Sequence, residues 1–194
     1  MRKVFLLLCG LLPGLMLFAQ NLYVAPGDTL TWADLPPTID SLVVAGTCRL
    51  KSDSLRTLIL RHGIRVARGG VFTALRLRVR PPAEGQVKTL LQAAQTATVH
   101  LTETEITGYR PRVALAHFRG ADVRLSACRL RTNWGNLLVA DESPITITGS
   151  TLSATDGNTI QLASAGIGAG SRIVDNDISV VVTRAHPPIR ARPQ

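Results

Sequence analysis

The chain has 194 residues, with 22 Lys and Arg against 13 Asp and Glu and a net charge of +9. That length fits one domain with a real hydrophobic core. Aromatic residues make up only 4% and are little interleaved with the basic ones, which argues against nucleic acid as the partner.

Met1–Ala19 reads as a secretory signal. Arg2 and Lys3 give the positive start, an apolar stretch follows, and Ala19 offers a cleavage site before Gln20. Leu8 before Cys9 is not the small residue that a lipid-anchoring box needs, and Pro13 argues against an uncleaved anchor. No second long apolar run follows, so the processed protein is expected to be secreted, periplasmic or at the cell surface, and not an integral membrane protein.

Residues 20–40 predict an N-terminal strand and a cap. Leu22 to Ala25 is the strand, closed by Pro26 and Gly27. Thr31 to Asp34 reads as one helical turn, with Thr31 as the cap residue and Asp34 at the favourable third position. Trp32 and Leu35 are expected to cover the open first coil of whatever stack follows.

Residues 41–182 predict stacked strands. Three early ones fall at Leu42 to Ala45, Thr57 to Leu60 and Leu75 to Arg80, and imply coils of about 16–17 residues. The last alternates, with Leu75, Leu77 and Val79 on one face and Arg76, Arg78 and Arg80 on the other.

Downstream the pattern becomes a repeat of the form apolar-x-apolar-x-x-small/polar-x-apolar. Its apolar positions are Val99, Leu101 and Ile106, then Val123, Leu125 and Leu130, then Ile145, Ile147 and Leu152, then Ile173 and Ile178. From Leu101 the steps are 24, 22 and 26 residues. A period of this size means units that bury a face only by stacking. Thr104, Cys128, Ser150 and Asn176 form an inward small or polar row where the side-chain phase changes, and that row is read as scaffold. A second apolar segment follows each copy, at Val113 to Leu115, Leu137 to Val139 and Ile160 to Leu162. Gly135 and Asn136, and 22 residues later Gly157 and Asn158, mark equivalent turns.

Over residues 97–180 these repeats resemble the right-handed parallel β-helix of the pectate-lyase-like superfamily. The resemblance implies an all-β, single-domain fold of roughly seven coils and says far more about fold than activity. In that superfamily a lyase would need calcium-binding acids beside a catalytic Arg or Lys, and Asp175 and Asp177 with Arg172 are the nearest match.

Residues 183–194 hold Pro187, Pro188, Pro193, Arg184, Arg190 and Arg192, and are expected to be a disordered basic tail.

The mature chain would carry +7. Residues 49–80 alone hold nine basic side chains against Asp53, whereas residues 81–183 hold eight bases against nine acids. Arginines on neighbouring rungs either splay into solvent or gather an anion, and arginine forks suit carboxylate, sulfate or phosphate. Arg76, Arg78 and Arg80 are therefore candidate ligand residues, with an acidic glycan as the expected partner. Tyr109 and Trp134 fall in matched turns beside Arg110, Arg112 and Arg131, where aromatic faces would stack on sugar rings.

Glu103 with Glu105, and Asp175 with Asp177, put paired carboxylates on one face of a strand, as a glycosidase requires. The two pairs are three rungs, about 14 Å, apart. Glu105 is also placed over Arg129, as a surface ion pair. Cys48 and Cys128 fall on distant coils and are expected to be buried free thiols, and the four His show no metal spacing, so no metal or other cofactor is expected. The reading is a secreted, non-enzymatic binding or surface-associated module, with acidic polysaccharide as its candidate ligand. A small polysaccharide lyase or glycoside hydrolase is the alternative, and a structural protein that associates through its ends, as a homo-oligomer, is a third.

Overall fold

The computed structural model describes residues 21–35, 39–82, 88–108, 111, 113–156, 159–163 and 171–181. The expected signal segment, Tyr109, Arg110, Arg112, the Gly157–Asn158 turn and the tail 183–194 lie outside the described residues.

The chain is a parallel β-solenoid in which about six turns lead from the first coil to the seventh. Its first coil carries β1 (Asn21–Val24) and β2 (Thr29–Thr31), the second β3 (Ser41–Val44) and β4 (Thr47–Ile59), the third β5 (Gly63–Val66) and β6 (Val71–Arg80). The fourth holds β7 (Leu91–Ala93), β8 (Thr98–Thr102) and β9 (Glu105–Gly108); the fifth β10 (Ala114–Arg119), β11 (Asp122–Ser126) and β12 (Arg129–Thr132). The sixth holds β13 (Asn136–Asp141), β14 (Ile145–Thr148) and β15 (Thr151–Thr155), and the last described coil β16 (Ile160–Ala163), β17 (Arg172–Val174) and β18 (Asp177–Val181).

Two all-parallel sheets result. One is β1-β3-β5-β7-β10-β13-β16. The other is folded into two arms: β2, β4, β6, β8, β11, β14 and β17 build the first, and β4, β6, β9, β12, β15 and β18 the second. Strands β4 and β6 run through the fold line, so each serves both arms.

Coil length follows from register. Leu22 pairs with Leu42 and Leu42 with Ile64, so the early coils hold 20 and 22 residues. The sequence expectation of 16–17 is too short, because Leu42 and Thr57 lie on different faces of one coil and Leu75 on the next. Ile64 pairs with Leu91, a step of 27, before the period settles at 22 from Ala116 to Leu138 and Leu138 to Ile160.

The stacked apolar columns hold the core. Val99, Val123 and Ile145 lie in register and are buried, as are Leu101, Leu125 and Ile147, and Ile106, Leu130 and Leu152. Each fully buried aliphatic side chain stabilises by about 1.5–3 kcal/mol, which makes these columns the main source of stability.

From the third coil on, the fold line between the arms is set by one left-handed residue per coil. Arg76, Glu103, Ala127, Gly149 and Asp175 have φ of 56°, 47°, 51°, 55° and 56°. Only Gly149 adopts that backbone without steric penalty. The turn shifts the side-chain phase by one, so Leu101 and Ile106 both point inward although five residues apart. It also corrects the reading of β6. Phe72 and Ala74 face inward before the bend and Leu77 and Val79 after it, so Leu75 lies on the outer side, not with Leu77 and Val79.

The inward row after the bend completes the hydrogen-bond accounting. The N–H groups of Glu103, Ala127 and Gly149 donate to carbonyls of the next coil, and those of Arg129, Thr151 and Asp177 to carbonyls of the preceding one. Between them, the Cys128 N–H donates to Ser150 Oγ at 3.0 Å and the Ser150 N–H to Asn176 Oδ1 at 2.8 Å. The Ser150 hydroxyl donates to Thr148 O, and the Asn176 amide to Ile147 O. Each side chain thus serves a buried backbone group that no strand reaches, as the sequence reading of a scaffold row expects. The other corner repeats the device, where the Ala121 N–H donates to Ser143 Oγ at 3.1 Å.

At the N-terminal end, Trp32–Asp34 forms one 3-10 turn. The Asp34 carboxylate accepts from both the N–H and the hydroxyl of Thr31, at 3.0 and 2.7 Å. Trp32 and Leu35 pack on the core, and the Arg56 guanidinium lies 5.5 Å from the Trp32 ring centre.

Cys48 and Cys128 are both free and buried, on the second and fifth coils. Three strand spacings, about 14 Å, separate their rungs, beyond the reach of a disulfide. Burial pushes the Cys48 thiol up from 9.0 to about 12. It pushes Cys128 up to about 11, offset in part by backbone hydrogen bonds at Thr104 and Ser126.

Three outcomes follow from this scaffold. Ser150→Ala strands the Cys128 N–H and is expected to lower unfolding free energy by about 1–3 kcal/mol in urea melts. Gly149→Ala, whose added Cβ meets nothing within 4 Å, should cost about 1 kcal/mol from backbone conformation alone. The thiols contribute stability that is full below pH 9.0 and is lost as pH rises through about 11 and then 12, because the unfolded chain ionises first. Urea midpoints of a Cys48→Ala, Cys128→Ala variant should therefore decline less steeply above pH 9.0 than those of the parent; identical slopes would rule this linkage out.

Candidate binding face

The second arm of the folded sheet presents its outward side chains in straight columns, because the register across it has no slip from β9 to β18. One column runs Thr57, Arg78, Glu105, Arg129, Thr151, Asp177. Its neighbour holds Ile59 and Arg80, then Thr107, Arg131, Ser153 and Ser179. Arg80 joins that column because Val79 pairs with Ile106, which puts Arg80 level with Thr107.

The three arginines grouped together in the sequence have different surroundings. Arg78 Nε reaches Glu105 Oε2 at 2.6 Å, and Arg129 approaches the same carboxylate at 3.8 Å, as expected for the Glu105–Arg129 pair. Arg76 sits on the fold line, not in the outward column of β6. Its Nε donates to Glu103 Oε2 at 2.7 Å and its Nη1 to Asp53 O at 3.0 Å. The hydrogen bond and the charge of Glu103 hold the Arg76 guanidinium above its ordinary pKa. Arg80 is exposed and has no carboxylate within salt-bridge distance among the described residues, and the same holds for Arg131.

Arg80 and Arg131 thus stand in one column two rungs apart, about 9.6 Å, with Thr107 between them. Arg129 lies beside Arg131 on β12 and is exposed. Trp134 follows in the turn after β12, 43% exposed. Thr132 pins that turn, its hydroxyl donating to Trp134 O at 2.9 Å. The structure therefore brings Arg80 and Arg131 to one face, with Arg129 alongside and the exposed Trp134 in the turn that follows β12. Tyr109, Arg110 and Arg112 lie outside the described residues.

A shallow groove of about 260 Å³ runs along the fold line beside this face. Glu103, Glu105, Ala127, Cys128, Arg129, Gly149 and Thr151 line it. It exists because two successive coils place the smallest residues, Ala127 and Gly149, at the bend. Its carboxylates already accept from arginines: Glu103 from Arg76, and Glu105 from Arg78.

Asp175 is the bend residue of the last described coil and Asp177 opens β18. Arg172 lies on β17, opposite Thr146 on the first arm, so the fold line runs between it and Asp177. Neither aspartate lines the groove. Among the described residues no group of three or more His, Cys, Asp or Glu is placed to hold a metal ion.

The cross-rung pairing of Arg76 with Glu103 and Arg78 with Glu105 is what sequence reading missed. Both pairs are 27 residues apart, the length of the one expanded coil step, and are hidden by any search at a period of 22–26. The signal lay in aligning Leu77 and Val79 with Thr104 and Ile106. On the other sheet, His117 Nε2 lies 2.9 Å from Asp141 Oδ2 across one rung.

Comparison of the chain with protein-family models, with curated proteins and with solved structures returns no match.

Proposed function

We propose that the protein is a non-enzymatic, secreted or surface-associated binding module for acidic polysaccharide, and that the ligand lies along the second arm of the folded sheet. The observation that carries this reading is the column of Arg80 and Arg131, two guanidinium groups without acidic partners among the described residues, with the exposed Trp134 in the turn after Arg131. Forked guanidinium groups at a fixed rung spacing match carboxylate or sulfate groups on an extended chain. The indole offers an apolar platform for a sugar ring. The paired Glu103 and Glu105 keep Arg76 and Arg78 occupied.

Binding to immobilised acidic and neutral polysaccharides at two salt concentrations tests this. Retention on the acidic polymers should weaken with salt and be lost in an Arg80→Ala, Arg131→Ala variant, whereas Arg76→Ala should leave it nearly unchanged. Equal retention of the double variant, or retention on neutral polymers alone, would rule the face out.

Glu105→Gln provides a gain-of-function arm. It releases Arg78 and Arg129 to the solvent face and should tighten acidic-polymer binding. Because the pair is surface-exposed, stability should change by no more than about 1 kcal/mol.

A further inference from the structure

The two ends of the solenoid are finished differently. At the first coil the inward residues Val24 and Leu30 are buried, and Trp32 and Leu35 pack against the core. At the last described coil the inward residues continue the same columns but are open. Ile173 pairs in register with Ile147, Ile178 with Leu152 and Val180 with Ala154. Those three partners are fully buried, whereas Ile173, Ile178 and Val180 are 37%, 45% and 49% exposed. Strands β17 and β18 end their arms of the sheet, as β2 does at the first coil, so one edge of each has no partner strand among the described residues, and the two ends differ in their apolar cover.

An exposed edge beneath three large apolar side chains is a template for another strand. The sequence after Val181 carries Pro187, Pro188 and Pro193, which have no N–H to give to a ladder. The same coil carries outward charges of both signs, Arg172 against Asp175 and Asp177, so two such ends meet with opposite charges available to each other.

We propose that a second copy of this chain covers this end, in a two-fold, tail-to-tail dimer through β17 and β18. The capped first coil is what selects a closed dimer. A head-to-tail contact would have to displace Trp32 and Leu35 and would propagate into a filament, whereas like ends close after two copies. Ile173, Ile178 and Val180 of each copy then complete the columns that Ile147, Leu152 and Ala154 begin.

Sedimentation velocity of the purified protein over a range of concentrations tests this, with Ile178→Asp and Val180→Asp as separate variants. The expected result is a dimer and no larger species in the parent. Each variant should be monomeric, with an unchanged far-UV circular dichroism spectrum that shows the coils intact. If one variant loses its fold, the other decides. A parent that stays monomeric at every concentration overturns the proposal, as does a ladder of higher assemblies. A dimer that survives in a folded variant also overturns it.

Discussion

The fold depends on how each coil turns the corner between the two arms of the sheet. A parallel strand that bends sharply must leave one backbone N–H pointing into the core, where no neighbouring strand reaches it. Here the next coil supplies the acceptor from a side chain: Ser150 Oγ for the Cys128 N–H, Asn176 Oδ1 for the Ser150 N–H. The left-handed residue just before, from Glu103 to Asp175, makes the bend and resets the side-chain phase. An apolar residue in the inward row would pack equally well and leave a buried donor unmet. That constraint, not hydrophobicity, explains the polar letter in the repeat.

Much of the architecture was legible for that reason. The apolar columns are an unambiguous period-two pattern on each side of the bend, and the polar row marks where the pattern breaks. Stacked parallel strands follow from those two features. The capping turn at Thr31 to Asp34 was legible because its chemistry is local. The early coils were not, because strands were compared across faces and β4 and β6 run through the bend without a break in the pattern. Leu75 shows the difficulty. In isolation it alternates with Leu77 and Val79, and only the left-handed backbone at Arg76 puts it on the opposite side.

The charge pattern was legible in sum and not in arrangement. Residues 49–80 are strongly basic, yet the acids that answer Arg76 and Arg78 come from the next coil, 27 residues later. Stacking converts a run of like charge into alternating rungs, Arg78 on Glu105 on Arg129. What stays cationic is decided by which rungs lack an acid, and in the column of Ile59, Thr107 and Ser153 the cations without one among the described residues are Arg80 and Arg131. The same stacking places Ala127 and Gly149 at successive bends and so opens the groove beside that strip.

The most direct measurement of the central reading is a backbone amide spectrum of the labelled protein titrated with a sulfated or uronate-rich oligosaccharide. If the strip of Arg80 and Arg131 is the binding face, the amides that move are those of Thr107, Arg131 and Trp134 and of their neighbours on β9 and β12. Movement centred instead on Arg49, Lys51 and Arg124, on the outer face of the first arm, would contradict it, as would no movement at all.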